Sequence, residues 1–118
     1  MDILFLREFR LDIIIGIYEW ERVMPQTVQF DLEVGLPNAQ ASVSDQIGDT
    51  IDYSKIAERI RSVLKDKHFS LVEAVAEYVA HILLDEFGVP WVKVSIAKLG
   101  VMRDVKQVGI IIERGQKS

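Results

Sequence analysis

The sequence contains no cysteine and only two histidines, His68 and His81. Without cysteine, the chain cannot form disulfides, thiolate nucleophiles or cysteine-ligated metal sites. A catalytic zinc ion usually takes three protein ligands, and histidine is common among them. Two histidines separated by thirteen positions are a poor basis for such a site, so we predict no metal site.

Long apolar runs and blocks of like charge are also missing. The longest apolar run, residues 13–17, includes Gly16 and is too short to cross a bilayer. The first ten residues, MDILFLREFR, include acidic and basic side chains and are not typical of a signal peptide. The net charge is −4, and no basic block indicates a nucleic-acid surface. We therefore expect a cytoplasmic protein without membrane or nucleic-acid partners.

The rest of the composition is that of an ordinary globular protein. The chain has 118 residues, of which 49% are hydrophobic and 27% are charged. A chain of this length buries roughly two thirds of its unfolded surface on folding, which is enough for a hydrophobic core. We predict a single domain over residues 1–118.

The spacing of apolar residues indicates both strands and helices. Alternation of apolar and polar residues is typical of a strand with one buried face, and recurrence every three or four residues is typical of a helix. These patterns predict strands at 11–17 and 28–36, a loop at 37–52, helices at about 53–66 and 70–87, and strands at 92–98 and 107–113. Asp52 is a plausible N-cap for the first of these helices.

This ββααββ order predicts an α+β fold, in which a four-stranded antiparallel sheet carries both helices on one face. The other face of the sheet would carry polar side chains, among them Thr27, Gln29, Asp31, Glu33 and Lys93. Such a face is compatible with solvent in a monomer and with the interior of an assembled barrel, which would also cover the sheet edges. Both arrangements remain open from the residues alone.

Lys98 is the first candidate for chemistry, because it continues the apolar phase of Val92, Val94 and Ile96. One interpretation is a lysine at a strand end, with its stem on apolar surface and its amine in water. The other is a partly desolvated amine that acts as a base, because burial disfavours the charged form of lysine.

Glu73 also has two interpretations. The segment from Ser70 to Glu73 fits the S-x-x-E capping box, in which both side chains bond the backbone at the start of a helix. A carboxylate at this position could instead accept paired hydrogen bonds from an amidine-like ligand edge.

Three aromatic residues and one acid complete the candidates. Glu21 lies between two predicted strands, where most acidic side chains are solvated. Tyr53 opens the first long helix and could pack on the sheet or stack on a flat ligand. Trp20 and Trp91 are interpreted as packing residues.

Four segments, taken together and in this order, resemble the dihydroneopterin aldolase family. The likeness covers nearly the whole chain, and its specificity lies in the set rather than in any single segment. The segments are IGIYEWER at 15–22 followed by Gln26, DTIDYSKIA at 49–57, FSLVEAVAE at 69–77, and VSIAKLG at 94–100 leading to VGIIIER at 108–114.

The resemblance implies a tunnelling fold and an assembly. In that fold, sheets of neighbouring subunits join into a tetrameric barrel with the helices outside, and two such rings commonly stack into a homo-octamer. The polar face of the sheet would then line the tunnel, and the active sites would lie between subunits. No cofactor is implied.

The resemblance also implies roles for individual residues. Glu73 would anchor the pterin ring, with a neighbouring contact from the Val72 backbone amide. Tyr53 would stack on the substrate across the subunit interface and help relay protons. Glu21 would position the substrate tail, and Lys98 would shuttle protons as the catalytic base.

The implied reaction is the retro-aldol cleavage of 7,8-dihydroneopterin in folate biosynthesis, in many members together with 2′ epimerisation. The substrate's own N5=C6 imine takes up the electrons of the breaking bond, so neither a metal nor a lysine Schiff base is required. Leu99 departs from the proline that often follows the lysine in this family. Related dihydroneopterin triphosphate epimerases can have leucine there.

Two alternatives therefore stay open beside the aldolase. One is a 2′-epimerase that acts on the triphosphate, for which Arg22, Arg103 and Lys106 are candidate phosphate ligands. The other is a non-catalytic, oligomeric pterin-binding module on the same fold.

Overall fold

The computed structural model describes residues 1–117, and it has five strands and three α-helices. The bounds, in chain order, are β1 (Ile3–Ile15), β2 (Gln26–Gly35), α1 (Ala41–Ser44), α2 (Tyr53–Leu64), β3 (His68–Phe69), α3 (Val72–Glu86), β4 (Trp91–Met102) and β5 (Val105–Gly115).

The sheet is mixed and has the order β3-β1-β2-β4-β5. Its four long strands pair antiparallel, as predicted. The expectation of four strands was wrong in one detail, because the short β3 pairs in parallel with the end of β1. Two residues carry no readable periodicity, so the sequence pattern could not indicate this strand.

Strand β1 begins eight residues earlier than the alternation pattern predicts, at Ile3 instead of Leu11. Its pairing with β2 is irregular between Leu6 and Phe9, and Glu8 lies there with a φ of 54°. A bulge of this kind shifts the side-chain phase by one residue. The two halves of β1 therefore do not read as one alternating segment.

Helices α2 and α3 pack against one face of the sheet, as predicted. Phe30, Leu32, Val94 and Ile96 from the sheet, for example, join apolar residues of both helices in one buried cluster. Because each strand alternates, the opposite face keeps its polar residues. The helices thus leave one sheet face without a cover from the described residues.

The start of α2 follows the predicted capping chemistry, whereas the start of α3 does not. The Asp52 side chain accepts a hydrogen bond from the Ser54 backbone N–H at 2.9 Å. In α3 the N-cap is Leu71, without a side-chain capping bond. Glu73 is then the second residue of the helix instead of the third, so the predicted capping box with Ser70 is not formed.

The composition of the segment at 37–52 indicated a loop, but the segment also contains short helical turns. It contains the one-turn helix α1 and a 3₁₀ turn at Ile47–Asp49. Both are too short to produce a periodic pattern in the sequence.

Candidate active site

A cleft of about 810 Å³ lies where the end of β4, the start of α3 and the connection between β1 and β2 meet. Its lining includes four of the predicted site residues: Glu21, Val72, Glu73 and Lys98. Three chain segments that are distant in sequence therefore contribute to one site.

Lys98 reaches the cleft because of its strand position. Val94 and Ile96 precede it on the same face of β4 and are almost completely buried. Lys98 itself pairs with Val28 on one side and Val108 on the other. Its side chain is 17% exposed, which is less than expected for a lysine that extends into water. The row of aliphatic side chains thus ends in an amine at the cleft.

Glu21 forms an ion pair with Lys98, with 2.7 Å between Oε2 and Nζ. The glutamate lies on a 3₁₀ turn, Trp20–Arg22, and its side chain is only 6% exposed. The interpretation of Glu21 as a solvated loop acid was therefore wrong. Desolvated ion pairs are held in place only when further hydrogen bonds satisfy their polar atoms.

Two further donors satisfy the Glu21 carboxylate. The Tyr18 backbone N–H donates to Oε1 at 3.2 Å, and the Gln26 amide donates to Oε2 at 3.0 Å. The hydrogen bond from Lys98 lowers the pKa of Glu21 to about 2, against the opposing effect of burial, and the two other donors lower it too. Glu21 is therefore a carboxylate throughout the neutral range.

This low pKa predicts a pH-dependent contribution of Glu21 to stability. A depressed carboxylate pKa stabilises the folded state above the ordinary value of 4.5, and this contribution is lost as the pH falls towards about 2. We expect the difference in unfolding free energy between wild type and Glu21→Gln to shrink by about 2–3 kcal/mol as the pH falls from 4.5 to about 2. Urea unfolding at a series of pH values measures it.

Glu19→Gln is the matched control, because Glu19 is an exposed acid on the same connection. The substitution removes one carboxylate from this connection and leaves the Glu21–Lys98 pair in place. A parallel pH dependence for wild type and Glu21→Gln would contradict the paired carboxylate.

Glu73 and Val72 occupy the first turn of α3 beside the cleft. The first backbone N–H groups of a helix have no intrahelical acceptor, so the Val72 amide can donate to a ligand. The Glu73 side chain is exposed and takes no part in the N-cap. A carboxylate next to a free amide suits a ligand edge that offers both donors and an acceptor.

Tyr53 is the one predicted site residue that does not line this cleft. It lies at the start of α2 and is 62% exposed. Within one chain, the structure therefore does not bring Tyr53 together with Lys98. Of the two tryptophans, Trp91 is buried as predicted, whereas Trp20 is 56% exposed and lines the cleft, so the packing interpretation of Trp20 was wrong.

Leu99 stands where the resemblance leads one to expect a proline. It continues the pairing of β4 with β5, opposite Gln107. The irregularity comes after it, between Leu99 and Met102, and includes Gly100 with a φ of 67°. Leucine at this position therefore extends the sheet past Lys98 and contributes an apolar wall to the cleft.

The described residues form neither a cluster of metal ligands nor a membrane-spanning helix. Within residues 1–117, no group of three or more histidine, aspartate or glutamate side chains is arranged to hold a metal ion. None of the helices described is long and apolar enough to cross a membrane.

The fold and the cleft together define a small α+β protein with a lysine–carboxylate pair in a cleft. The dihydroneopterin aldolase family model matches residues 4–113. This chain belongs to the dihydroneopterin aldolase family.

Individual relatives agree with that assignment. The dihydroneopterin aldolase of Escherichia coli K12 is 41% identical over 98% of this chain and 94% of its own length. That of Haemophilus influenzae is 30% identical over 98% of both chains. The crystal structure of the E. coli enzyme in complex with neopterin has a TM-score of 0.93, at 41% identity, and covers 98% of this chain and 100% of the other.

Sequence reasoning missed the surroundings of Glu21. The resemblance includes Gln26 but implies no role for it, and no pattern in the sequence indicates that Gly16 and the Tyr18 amide belong to the site. Only their closeness in space shows that they hold the carboxylate, and no spacing rule indicates it.

Proposed function

We propose that this chain cleaves 7,8-dihydroneopterin by a retro-aldol reaction to 6-hydroxymethyl-7,8-dihydropterin and glycolaldehyde, as a metal-independent step of folate biosynthesis. The observation that carries the proposal is the Lys98–Glu21 pair, which lies in one cleft with Glu73. Membership of the aldolase family and the neopterin-bound E. coli relative support the same substrate class.

Lys98, in its uncharged form, would accept the proton of the substrate's 2′ hydroxyl, directly or through a water. The C1′–C2′ bond then breaks, C2′ and C3′ leave as glycolaldehyde, and the bonding electrons move into the N5=C6 imine. The resulting enamine takes the proton back at C1′. Glu21, fixed next to the amine, stabilises the ammonium that forms when Lys98 accepts the proton.

Glu73 would hold the pterin ring while this occurs. Its carboxylate can accept two charge-assisted hydrogen bonds from N2 and N3 of the ring. The Val72 amide would bind an acceptor on the same ring. If glycolaldehyde turns over in the cleft before it leaves, C1′ can form the bond again on the other face of the aldehyde. The same groups would then epimerise C2′.

The charge of the cleft favours the aldolase over a triphosphate epimerase. The charged lining residues are Glu21, Glu73 and Lys98, two negative and one positive, which leaves one net negative charge. The candidate phosphate ligands Arg22, Arg103 and Lys106 are exposed and are not among the lining residues. A triphosphate would bring further negative charge to a site without a free cation in the described chain.

A side-by-side assay tests this choice. We expect glycolaldehyde release from 7,8-dihydroneopterin and little turnover of its triphosphate. Isomerisation of the triphosphate without cleavage, at a higher kcat/KM than for dihydroneopterin, would instead establish the epimerase.

We also propose that the chain assembles as a tunnelling-fold ring of four subunits, and as an octamer of two rings. The outer edge of β1 is paired only at Ile14 and Ile15, and the outer edge of β5 has no partner within residues 1–117. Exposed apolar side chains, including Ile111 at 64%, lie on β5. The radius of gyration is 15.3 Å, against about 13–14 Å for a compact domain of this length. Pairing between copies would cover these open edges.

This assembly would bring Tyr53 of one subunit to the cleft of its neighbour, which predicts complementation. We expect Lys98→Ala and Tyr53→Ala proteins to be nearly inactive separately, and to regain activity after they are denatured and refolded together. Each interface takes Lys98 from one copy and Tyr53 from its neighbour. In a random one-to-one mixture, about a quarter of the interfaces therefore contain both intact residues. Glycolaldehyde release measures the recovery. No recovery in confirmed mixed oligomers would place both residues in one subunit's site.

Two further proposals rest on the sequence. We propose that residues 1–118 form a single domain and that the protein is cytoplasmic.

A further inference from the structure

Gln26 connects the end of β1 to the catalytic pair. Its side-chain amide donates to the Ile15 carbonyl at 2.6 Å and to Glu21 Oε2 at 3.0 Å. The same Oε2 accepts the hydrogen bond from Lys98. Gln26 thus touches the oxygen that faces the amine, and it is itself held by the backbone of a sheet strand.

Gly16 provides the space in which the Glu21 carboxylate lies. A Cβ atom at position 16 would overlap the carboxyl carbon and Oε1 of Glu21. The φ of Gly16 is +136°, a value that residues with a side chain rarely adopt. Its backbone is fixed by two contacts to β3, because Gly16 N–H donates to the Phe69 carbonyl and the Gly16 carbonyl lies 3.1 Å from His68 Nε2.

We propose that Gln26 and Gly16 are positioning residues, which fix the Glu21 carboxylate in the one orientation that reaches Lys98. Gly16 leaves the space, and Gln26 together with the Tyr18 amide determines which oxygen faces the amine. The role in turnover rests on the proposed function, whereas the fixed orientation of the carboxylate does not.

The hydrogen bonds of Gln26 commit both of its N–H donors to the protein. A glutamine amide has two N–H groups, and in this structure the nitrogen donates to two protein acceptors. No donor is left for a substrate, although Gln26 lines the cleft. Through its N–H groups, Gln26 therefore acts on the reaction by way of Glu21, and a contact of its carbonyl oxygen with a substrate hydroxyl would appear instead as a loss that persists without Glu21.

A double-mutant cycle tests that route. Methionine matches glutamine in length but cannot donate, so we expect Gln26→Met to lower kcat for glycolaldehyde release about tenfold, the equivalent of one hydrogen bond to a charged group, with KM within about twofold. In a Glu21→Ala background, the same substitution should change kcat less than about twofold, because the two residues act as one unit. An equal loss in both backgrounds, or a loss confined to KM, would overturn the proposal.

Gln29→Met is the matched control. Gln29 is on the same strand, but it bonds Arg10 and Asp31 on the opposite face of the sheet. We expect its kcat to match that of the wild type. A tenfold loss there as well would show that glutamine removal from β2 acts on the fold and would overturn the specific role of Gln26.

A titration without substrate tests the carboxylate itself. In ligand-free protein with ¹³C-labelled glutamate, the Glu21 carboxyl signal should titrate at a higher pH in Gln26→Met and in Gly16→Ala than in wild type. Unchanged titration in a folded variant would contradict the proposal even when wild type is active. If wild type releases no glycolaldehyde, the proposed function fails, and this titration still decides the positioning role.

Discussion

Replacement of Lys98 by alanine is expected to lower the rate of glycolaldehyde release by about 10²–10⁴-fold, the usual effect of removing a general base or proton relay. The amine lies at the end of a buried row on β4 and contacts Glu21 at 2.7 Å. Among the residues that the structure describes, no other lysine or arginine lines the cleft. Steady-state kinetics with 7,8-dihydroneopterin measures the loss.

Lys98→Arg separates the chemistry from the fold. Arginine keeps the positive charge next to Glu21, but it cannot give up its proton under ordinary conditions. We therefore expect Lys98→Arg to be inactive although its thermal stability stays close to that of wild type. Lys98→Ala, by contrast, leaves the buried Glu21 carboxylate without its cation and should also be less stable.

Lys93→Ala controls for a lysine on the same strand. Lys93 lies 3.8 Å from Glu33 and belongs to the other face of the sheet. Its turnover should be close to that of wild type if assembly is intact. A folded, assembled Lys98→Ala protein that retains full turnover would disprove the assignment of Lys98 as the base. Wild-type protein that binds neopterin but releases no glycolaldehyde would instead favour a non-catalytic pterin-binding module.

Glu73→Gln is expected to weaken pterin binding by about 1.5–3 kcal/mol, because it replaces charge-assisted hydrogen bonds with neutral ones. The variant should lose little stability. Glu73 takes no part in the N-cap of α3, and a carboxylate in the first turn contributes only about 0.3–1 kcal/mol through the helix dipole. Isothermal titration with neopterin and thermal unfolding measure the two effects separately.

Glu77→Gln is the matched control, one turn further along α3. Glu77 holds the Arg114 guanidinium at 3.0 Å, and this contact lowers the pKa of the Glu77 carboxyl. Its removal should lower stability by up to about 1 kcal/mol, as for an exposed ion pair, and leave pterin affinity unchanged. If Glu73→Gln lost stability while binding neopterin normally, the pterin anchor would be wrong.

The long elements of the fold were predictable because each buries one face. Alternation indicated β2 and β4, helical spacing indicated α2 and α3, and Asp52 indicated the start of α2. The first half of β1 was not predictable because the bulge at Glu8 changes its phase. Strand β3 and helix α1 are too short for any period to be recognised.

Four residues that line the cleft were indicated by the sequence, but their arrangement was not. The residues themselves indicated Lys98, Glu73, Glu21 and Tyr53 as candidates, and the resemblance added Val72 and a role for each. Local pattern gave the wrong environment for Glu21, because its burial depends on Lys98, which lies 77 positions away. A contact of that kind arises only when the connection after β1 folds over the end of β4.

The position of Tyr53 shows a second limit. It is exposed at the start of α2 and does not line the cleft of its own chain. No pattern within a single sequence reports a contact between copies of that sequence, so the role of Tyr53 depends on the proposed assembly.

Product analysis tests the central claim most directly. Purified protein, treated with EDTA and supplied with 7,8-dihydroneopterin, should release glycolaldehyde and 6-hydroxymethyl-7,8-dihydropterin in equal amounts. Intact substrate with no aldehyde, or cleavage that stops with EDTA and returns with added metal, would contradict a metal-independent retro-aldol reaction driven by Lys98.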